Sequence, residues 1–409
     1  MVNFVRYFLC LAVCASALFG QAPGRQKRTV TDEEVMRVHK SAILIDTHND
    51  ITSRTVAGMD IGKPSTETHT DLPRMKQGGM GGEFFAVFVA ANYVEGNHSA
   101  NRTLQMIDTV KHDIVEKYPN DFLFATTADD VRKAHTEGKI AALMGIEGGH
   151  AIEDSLRLLR RFYEEGVRYM TLTHSNSNHW ADSSGDANKP NNGLTPFGKE
   201  VVLEMNRLGM IVDISHVADK TFWDTLETSK APIFASHSSC RAISPVPRNM
   251  TDEMIVVMAK KGGVVQINFD CGYLNPEAAT AETARMQKLR PMLEDMRKKY
   301  ANDPDGMRKM FREMRTSVPA DPAIRSTLAD VVKHINHVVE IAGVDAVGIG
   351  SDFDGVQCVP DELNGVDKWP VLTRALLEQG YTAAEVRKIY GENTLRLMAS
   401  VEHVAKSMR

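Results

Sequence analysis

The chain has 409 residues, of which 43% are hydrophobic and 25% charged, and its formal net charge is −5. This composition is ordinary for a globular protein. The small net charge disfavours a nucleic-acid partner, because such partners usually require a basic face. The length permits either one large barrel or two smaller domains, so the order of the predicted elements has to decide between them.

The first residues have the layout of a secretory signal peptide. Arg6 precedes an apolar stretch, Tyr7–Phe19, which is short for a membrane span and is followed by small and turn-forming residues. We predict a signal peptide over residues 1–22, with cleavage after Ala17 or Ala22, and export to the periplasm or the extracellular space. A lipoprotein anchor on Cys14 is disfavoured, because the residue before it, Val13, is bulky for that processing. The polar C-terminal residues Val401–Arg409 argue against a GPI-type anchor. No later segment predicts a transmembrane helix.

Eight apolar runs of strand length recur along the rest of the chain, and amphipathic helical patterns separate them. The runs are mostly continuous rather than alternating, which is typical of parallel strands covered on both faces. Eight alternations of strand and helix favour a single (β/α)₈ TIM barrel, over residues 23–409, against an open doubly wound sheet. The predicted strands are Ala42–Asp46, Phe84–Ala90, Ile140–Ile146, Tyr169–Thr173, Met210–Ile214, Pro232–Ala235, Gly263–Phe269 and Ala346–Gly350.

One connection is too long for a simple crossover. Residues 275–323, between the seventh and eighth predicted strands, are charged, rich in methionine and mostly helical in pattern. We predict a helical insertion over or beside the barrel mouth, broken at Pro291 and at two later prolines. After the barrel, Thr382 opens a capping-box pattern and starts a terminal pair of helices that ends near Met398.

Three cysteines lie outside the predicted leader, namely Cys240, Cys271 and Cys358. An odd number in an exported protein allows at most one internal bridge. Their spacing indicates neither a zinc knot nor a redox pair. We therefore predict no functional role for them.

Metal-competent or acidic side chains follow six of the predicted strands at or just past their C-terminal ends. A (β/α)₈ barrel places its chemistry at this end of its strands. One such coincidence carries little meaning, but several together predict a single converging site. The side chains are His48, Asp50, Glu147, His174, His216, His237 and Asp352.

The first clusters combine histidine with carboxylates. In His48-Asn49-Asp50, alternate residues of an extended chain project the same way, so an imidazole and a carboxylate can hold one cation. Glu147 precedes two glycines that leave space for close approach, and its two oxygens can bridge two metals. Taken singly, a polar loop explains the first motif and a helix-entry loop the second. We assign His150 a supporting role rather than a ligand role.

His216 and His237 end neighbouring predicted strands, so their imidazoles would converge. Zinc favours imidazole nitrogen and carboxylate oxygen, and such a set without cysteine is typical of a catalytic site, although the same ligands accept other divalent ions. Asp213 either orients a ligand imidazole or is a buried strand-end carboxylate, and the residues leave both readings open. Asp352 is the natural base for a metal-held water, with Asp354 as its competitor.

These motifs together closely resemble those of one family, the membrane (renal) dipeptidases, which are zinc peptidases with an amidohydrolase-like barrel. The resemblance runs in order from the first strand to the eighth and is that of a bacterial-type secreted member. The chain departs from mammalian members in lacking a hydrophobic anchor tail and in its longer 275–323 insertion. The matching motifs are Asp46-Thr47-His48-Asn49-Asp50, Ile146-Glu147-Gly148-Gly149-His150, Tyr169-Met170-Thr171-Leu172-Thr173-His174-Ser175-Asn176, Asp213-Ile214-Ser215-His216-Val217, Ser236-His237-Ser238-Ser239, Arg248-Asn249 and Asp352-Phe353-Asp354-Gly355-Val356.

The resemblance implies a dipeptidase with two zinc ions per subunit. His48 and Asp50 would hold one ion, His216 and His237 the other, and Glu147 would bridge both. A metal-bridging water or hydroxide would be the nucleophile. Dipeptides would be the substrates, no nucleic acid is expected, and a homodimer is left open.

The resemblance also implies roles for residues around the metals. Asp352 would manage the proton of the nucleophile, and His174 would contact the substrate and stabilise the tetrahedral oxyanion. Arg248 would pair with the substrate's terminal carboxylate, a task that suits a bidentate guanidinium, and Tyr273 would line the same pocket. Without the resemblance, Arg248 would be read as a solvated loop arginine.

Two other functions stay open at this point. Another barrel hydrolase with two metals, acting on a cyclic amide, lactone or phosphotriester, is disfavoured because such barrels often bridge their ions with a carboxylated lysine. Here no lysine ends a strand where the bridge is needed, and Glu147 takes that place. A catalytically silent binding protein is disfavoured by the complete set of candidate ligands.

Overall fold

The computed structural model describes residues 25–300 and 324–408, together with residues 303, 306, 310 and 313. The predicted leader and most of the predicted insertion beyond residue 300 lie outside these residues, as do the two later prolines. The strands of the described part are β1 Leu44–Asn49, β2 Met80–Phe88, β3 Phe122–Phe124, β4 Ile140–Glu147, β5 Val167–Thr171, β6 Ile211–Asp213, β7 Phe234–Ser238, β8 Val264–Ile267 and β9 Val347–Ile349.

Eight of these strands form a parallel barrel in the order β1-β2-β4-β5-β6-β7-β8-β9. The ring closes where the main chain past β9 meets the end of β1. There the N–H of Asp50 donates to Phe353 O (2.8 Å), and the N–H of Asp352 donates to His48 O (3.1 Å). The predicted (β/α)₈ TIM barrel is therefore confirmed, with strand ends that differ from the predicted ones by a few residues.

Strand β3 lies outside the ring and has no counterpart among the predicted strands. It pairs in parallel with the start of β4, while β2 and β4 pair directly with each other inside the barrel. Three residues are too short a run to show the periodicity by which strands are recognised.

Two hydrophobic cores hold the barrel together. The inner core fills the barrel with side chains such as Ile45, Tyr169 and Phe234, and Leu395 of the last helix belongs to it. The outer core, which is larger, joins the strands to the surrounding helices. The barrel is thus a packed interior rather than a pore, and the polar side chains at its C-terminal end stand above a filled core.

Several of the helices that surround the barrel begin and end at residues that cap them. Thr195 accepts a hydrogen bond from the N–H of Gly198 at the start of one helix, and Gly209 ends that helix with a φ of 91°. Thr382 forms the predicted capping box. The described α-helices are α1 Asp32–Lys40, α2 Thr52–Thr55, α3 Leu72–Gln77, α4 Ser99–Asp108, α5 Ala128–Thr136, α6 Leu156–Glu164, α7 Pro196–Leu208, α8 Asp219–Thr228, α9 Asp252–Lys260, α10 Cys271–Leu274, α11 Pro276–Lys299, α12 Leu328–Ala342, α13 Trp369–Glu378, α14 Ala383–Arg387 and α15 Asn393–Ser407. Short 3₁₀ segments lie at Ala91–Tyr93, Gly149–Ile152, Val344–Ala346, Asp361–Leu363 and Val366–Lys368, and π-helical segments at Thr109–Glu116 and Lys388–Glu392.

Two predicted helix ends are wrong. Helix α11 runs through Pro291 without a break. Pro291 is exposed, so water can satisfy the carbonyl group that the proline leaves without a partner. Helix α15 continues past Met398 to Ser407, because Val401 and Ala405 extend its buried face.

One disulfide, Cys271–Cys358, joins α10 to the segment that follows β9, and Cys240 is a buried free thiol. A single bridge agrees with the limit set by the cysteine count. The bridge ties α10, the helix that contains Tyr273, to the chain after β9, and this structural role was not predicted. Within the described residues, no helix combines the length and apolar character needed to cross a membrane.

Candidate active site

The seven predicted side chains meet at the C-terminal end of the barrel. Three sets of them place candidate ligand atoms within 4.8 Å of one another. The sets are His48 with Glu147 and His237, Glu147 with His174 and His216, and His48 with Asp50 and Asp352. Residues from β1, β4 and β7 and from the loops after β1, β5, β6 and β9 therefore form one cluster.

One oxygen of Glu147 faces a pair of histidines. Its Oε1 lies 3.0 Å from His216 Nε2 and 3.2 Å from His237 Nε2. The two Nε2 atoms are 3.0 Å apart. Glu147 Oε1, His216 Nε2 and His237 Nε2 thus surround one position that a metal ion could occupy.

The other oxygen of Glu147 faces a second group. Its Oε2 lies 3.5 Å from His48 Nε2, which is 3.2 Å from Asp50 Oδ2. Zinc–ligand bonds of 2.0–2.1 Å in a tetrahedron separate the ligand atoms by about 3.3 Å. The separations around both oxygens of Glu147 match this value, so the residues fit two metal ions that share one carboxylate.

Buried hydroxyl groups fix the tautomer of two of these histidines. The hydroxyl of Tyr169 donates to Thr47 O (3.1 Å), so it accepts from His48 Nδ1 (2.8 Å). Nδ1 therefore carries a proton, and Nε2 is left for a cation. His48 Nε2 is buried and has no hydrogen-bond partner, as expected of a ligand atom.

His237 is held in the same way by a serine and a carboxylate. The hydroxyl of Ser236 donates to Asp213 Oδ2 (2.6 Å) and accepts from His237 Nδ1 (2.7 Å). Asp213 also accepts hydrogen bonds from the main-chain N–H groups of Ser215 and Ser236. Of the two readings that the sequence left open for Asp213, the geometry favours the first, since Asp213 orients an imidazole through the hydroxyl of Ser236.

The electrostatics of the cluster suit a metal site. Burial lowers the pKa of His216 and His237 well below the ordinary value, so both imidazoles are neutral, the form that binds metal. His48 differs, because the neighbouring Tyr169 and carboxylates outweigh burial and raise its pKa. The same negatively charged neighbours would also favour a metal ion at His48 Nε2, where the ion competes with a proton.

Asp352 is three residues past β9 and adopts a φ of 62°. This left-handed conformation is uncommon for residues other than glycine and recurs at functional sites. Burial raises the pKa of Asp352 well above its ordinary value, and nearby carboxylates add to the effect. Asp354, the competitor, instead accepts a hydrogen bond from the N–H of His69 (2.8 Å) and belongs to none of the ligand sets.

A cavity of about 460 Å³ opens over the cluster. His174 and Tyr273 line it, and His174 Nε2 lies 3.8 Å from Glu147 Oε1. The predicted insertion also contributes to the wall, through Ala279 and Thr283 of α11. The cavity is large enough for a small peptide and too small for a folded protein chain.

Arg248 is placed beside this cavity rather than in its lining. Its guanidinium donates to Ser238 Oγ (2.5 Å) and to His237 O (2.6 Å), and it lies 5.4 Å from the ring centre of Tyr273. Arg248 is half-buried, so it is not the solvated loop arginine of the alternative reading. His150 stands outside the ligand sets, and its Nε2 bonds to Val89 O (2.8 Å), which fits a supporting role.

Two residues that orient the ligands, Tyr169 and Ser236, are not among the predicted site residues. In the sequence, Tyr169 stands out only as the first residue of a predicted strand and of a motif, and Ser236 only as part of a motif. A hydroxyl residue next to a strand-end histidine is the one signal that could have indicated Ser236. Nothing comparable exists for Tyr169, since its partner, His48, is far away in the sequence.

Comparisons with known proteins agree with this geometry. The profile of the membrane dipeptidase family, peptidase family M19, matches residues 32–409. The fold is shared with the probable dipeptidase PvdM from Pseudomonas aeruginosa, at 24% identity and a TM-score of 0.77, over 91% of this chain and 99% of that chain.

Two further structures are somewhat more similar in sequence. A metallo peptidase from Rhodobacter sphaeroides, liganded with a phosphinate mimic of the dipeptide L-Ala-D-Ala, is 26% identical with a TM-score of 0.70, over 88% of this chain and 99% of that chain. The dipeptidase AC, a metallo peptidase of family M19, is also 26% identical with a TM-score of 0.70, over 88% and 98% of the two chains. The chain therefore belongs to the membrane dipeptidase family, peptidase family M19, and is a metal-dependent dipeptidase.

Proposed function

We propose that the enzyme hydrolyses dipeptides with two zinc ions that share Glu147. His48 and Asp50 hold one ion, and His216 and His237 hold the other. The observation that carries this proposal is the division of the two Glu147 oxygens between two groups of ligand atoms. Zinc suits the donor set of imidazole nitrogen and carboxylate oxygen.

When bound, such ions would supply a water of lowered pKa as the nucleophile and would polarise the scissile carbonyl group. Asp352 accepts the proton of the attacking water and returns it to the leaving amine. Its raised pKa and its place beside Asp50 support this role. His174 reaches into the cavity from the loop after β5 and stabilises the oxyanion that develops on the substrate carbonyl.

Arg248 and Tyr273 bind the terminal carboxylate of the substrate. Each guanidinium nitrogen that now contacts the protein carries a second proton that can be donated. The half-buried position of Arg248 strengthens its charge interactions relative to those at an open surface. Because the terminal carboxylate of the substrate has to bind close to the metals, only short peptides can be substrates. The ligand of the Rhodobacter sphaeroides relative supports acceptance of a D-residue at the second position.

We also propose that the enzyme is exported. Residues 1–22 would be removed as a signal peptide, and residues 23–409 would act as one domain, with the segment 275–323 inserted at the mouth. The Cys271–Cys358 disulfide supports this, because such bridges persist in oxidising compartments. A homodimer is compatible with this arrangement and can be tested by sedimentation.

The proposal is tested by zinc analysis of the purified enzyme together with turnover of L,L- and L,D-dipeptides. We expect two zinc ions per chain and hydrolysis of both classes. A Glu147→Gln variant should lose zinc and at least about 1,000-fold in kcat/KM, since both sites share the carboxylate. Glu204→Gln is the matched control, because Glu204 is a buried carboxylate that pairs with Arg160 of α6 and Arg207 of α7 instead of with the candidate ligands.

Three outcomes would contradict the proposal in different ways. Two zinc ions without dipeptide turnover, or with turnover of a lactone or cyclic amide instead, would remove the assigned substrate. A Glu147→Gln enzyme that keeps both ions and its activity would remove the bridge. One ion per chain in the unmodified enzyme would remove the dinuclear site.

A further inference from the structure

Asn268 lies directly after β8, in the wall of the site, and is fully buried. Its side-chain Nδ2 donates to Asp352 Oδ2 at 2.8 Å. Its Oδ1 accepts from the main-chain N–H of Asp270 at 2.6 Å. The carboxamide therefore joins the end of β8 to the loop that follows β9.

The orientation of this carboxamide is fixed by chemistry. The main-chain N–H of Asp270 can only donate, so the oxygen of Asn268 must face it, and the NH₂ group must face Asp352. Asp352 Oδ2 is thereby always a hydrogen-bond acceptor. The other oxygen, Oδ1, is the one that can exchange a proton.

That remaining oxygen points toward the candidate metal ligands. A methyl group added to Gly355 would lie 2.4 Å from Asp352 Oδ1 and equally close to Asp50 Oδ2. The two oxygens thus flank the same small space. Asn268 holds one oxygen of Asp352 at the wall, and this leaves the other beside Asp50.

Asp352 needs such a restraint. Its carboxylate shares a buried site with that of Asp50, where candidate ligand atoms of the two residues lie within 4.8 Å of each other, and like charges at this distance repel one another. Its main chain is held by the bond from its N–H to His48 O, but that bond leaves the side chain free to rotate. The hydrogen bond from Asn268 restrains this side chain. Its donor is neutral, and the position of the donor is fixed by the N–H of Asp270.

We propose that Asn268 is a positioning residue for the dipeptidase reaction, which holds Asp352 so that Oδ1 faces the reacting water. This inference rests on the proposed function, since it assigns Asn268 no chemistry of its own. It acts through Asp352 alone, and its effect on the rate disappears when Asp352 is absent.

A double-mutant cycle tests this dependence. Asn268→Ala should lower kcat by about 10- to 100-fold, the effect of removing one hydrogen bond to a charged group, while KM stays within about threefold. In an Asp352→Ala background the same substitution should change kcat by less than about twofold, because residues that act through one another are not additive. Asn268→Asp keeps the acceptor for the N–H of Asp270, so the local fold is retained, and it should lower kcat at least as far.

Two measurements besides activity complete the test. Zinc content should stay at the wild-type value in Asn268→Ala, and a crystal structure of that variant should show the Asp352 side chain rotated away from Asp50. Asn206→Ala is the control, because Asn206 is also a buried amide whose Oδ1 accepts from Lys230 N and Ser229 Oγ, on α7 away from the site. It should leave kcat unchanged.

The outcomes separate this inference from the function on which it rests. A lower kcat in Asp352→Ala but not in Asn268→Ala overturns the inference alone. Equal losses from Asn268→Ala in both backgrounds assign Asn268 a purely structural role and also overturn it. Full activity of Asp352→Ala removes the base from the proposed function, and the inference with it.

Discussion

Replacing Tyr169 by phenylalanine should weaken one metal site and spare the other. The ring of Tyr169 packs against Phe84 and Phe234 in the inner core, at 5.3 Å between ring centres in both cases, so a phenylalanine ring would keep its place. The substitution removes only the hydroxyl. Without it, the Nδ1 proton of His48 and the carbonyl oxygen of Thr47 lose their partner in a buried environment.

The expected magnitudes follow from these two contacts. Leaving buried polar groups without partners costs about 1–3 kcal/mol of unfolding free energy. Loss of a group that orients a ligand histidine weakens metal binding by about 10- to 100-fold, which corresponds to about 1.4–2.7 kcal/mol. The loss should be confined to the ion held by His48 and Asp50. The hydroxyl of Ser236 continues to orient His237, so the second ion should bind as before.

Zinc content measured after dialysis against graded concentrations of a chelator resolves the two sites, and urea unfolding of the metal-free protein gives the stability. Tyr390→Phe is the control, because the Tyr390 hydroxyl is equally buried but bonds to Thr373 Oγ1 (2.7 Å) and Trp369 O (3.2 Å), away from the site. It should lower stability by a similar amount and leave both zinc affinities unchanged. If Tyr169→Phe released both ions together, or neither, the assignment of the His48 tautomer to this hydroxyl would be refuted.

Two further predictions concern stability. The Cys271–Cys358 bridge joins residues 87 positions apart and so restricts the unfolded chain. Replacing both cysteines by serine should therefore lower the free energy of unfolding by about 4–5 kcal/mol. An unchanged midpoint of urea unfolding would contradict this. Burial lowers the pKa of His334 from 6.5 to about 4, so between these values the unfolded chain binds a proton that the native chain excludes. Stability should therefore fall by about 3 kcal/mol as the pH drops through this range. His334→Gln should flatten this part of the pH profile, and a profile that stays equally steep in this variant would contradict the prediction.

The sequence determined the class of the fold and the members of the candidate site. Parallel strands that are covered on both faces must be continuously apolar, so each appears as a local run, and the chemistry of a barrel follows those runs at a fixed end. Glu147 and Asp352 could be recognised for this reason, although the strands that carry them are far apart in the chain. Strand β3 and the unbroken course of α11 through Pro291 could not, because a three-residue run and an exposed proline give weak local signals.

Only the tertiary structure decided how the side chains of the site are held. The hydroxyl of Tyr169 on His48, that of Ser236 between Asp213 and His237, and the amide of Asn268 on Asp352 are contacts that arise when separate strands close into a ring. A sequence pattern records which face of a strand a residue occupies, but not which atom from another strand lies opposite it. Hydrogen bonds depend on that atom at a separation of about 3 Å, and the register of the closed barrel alone sets it.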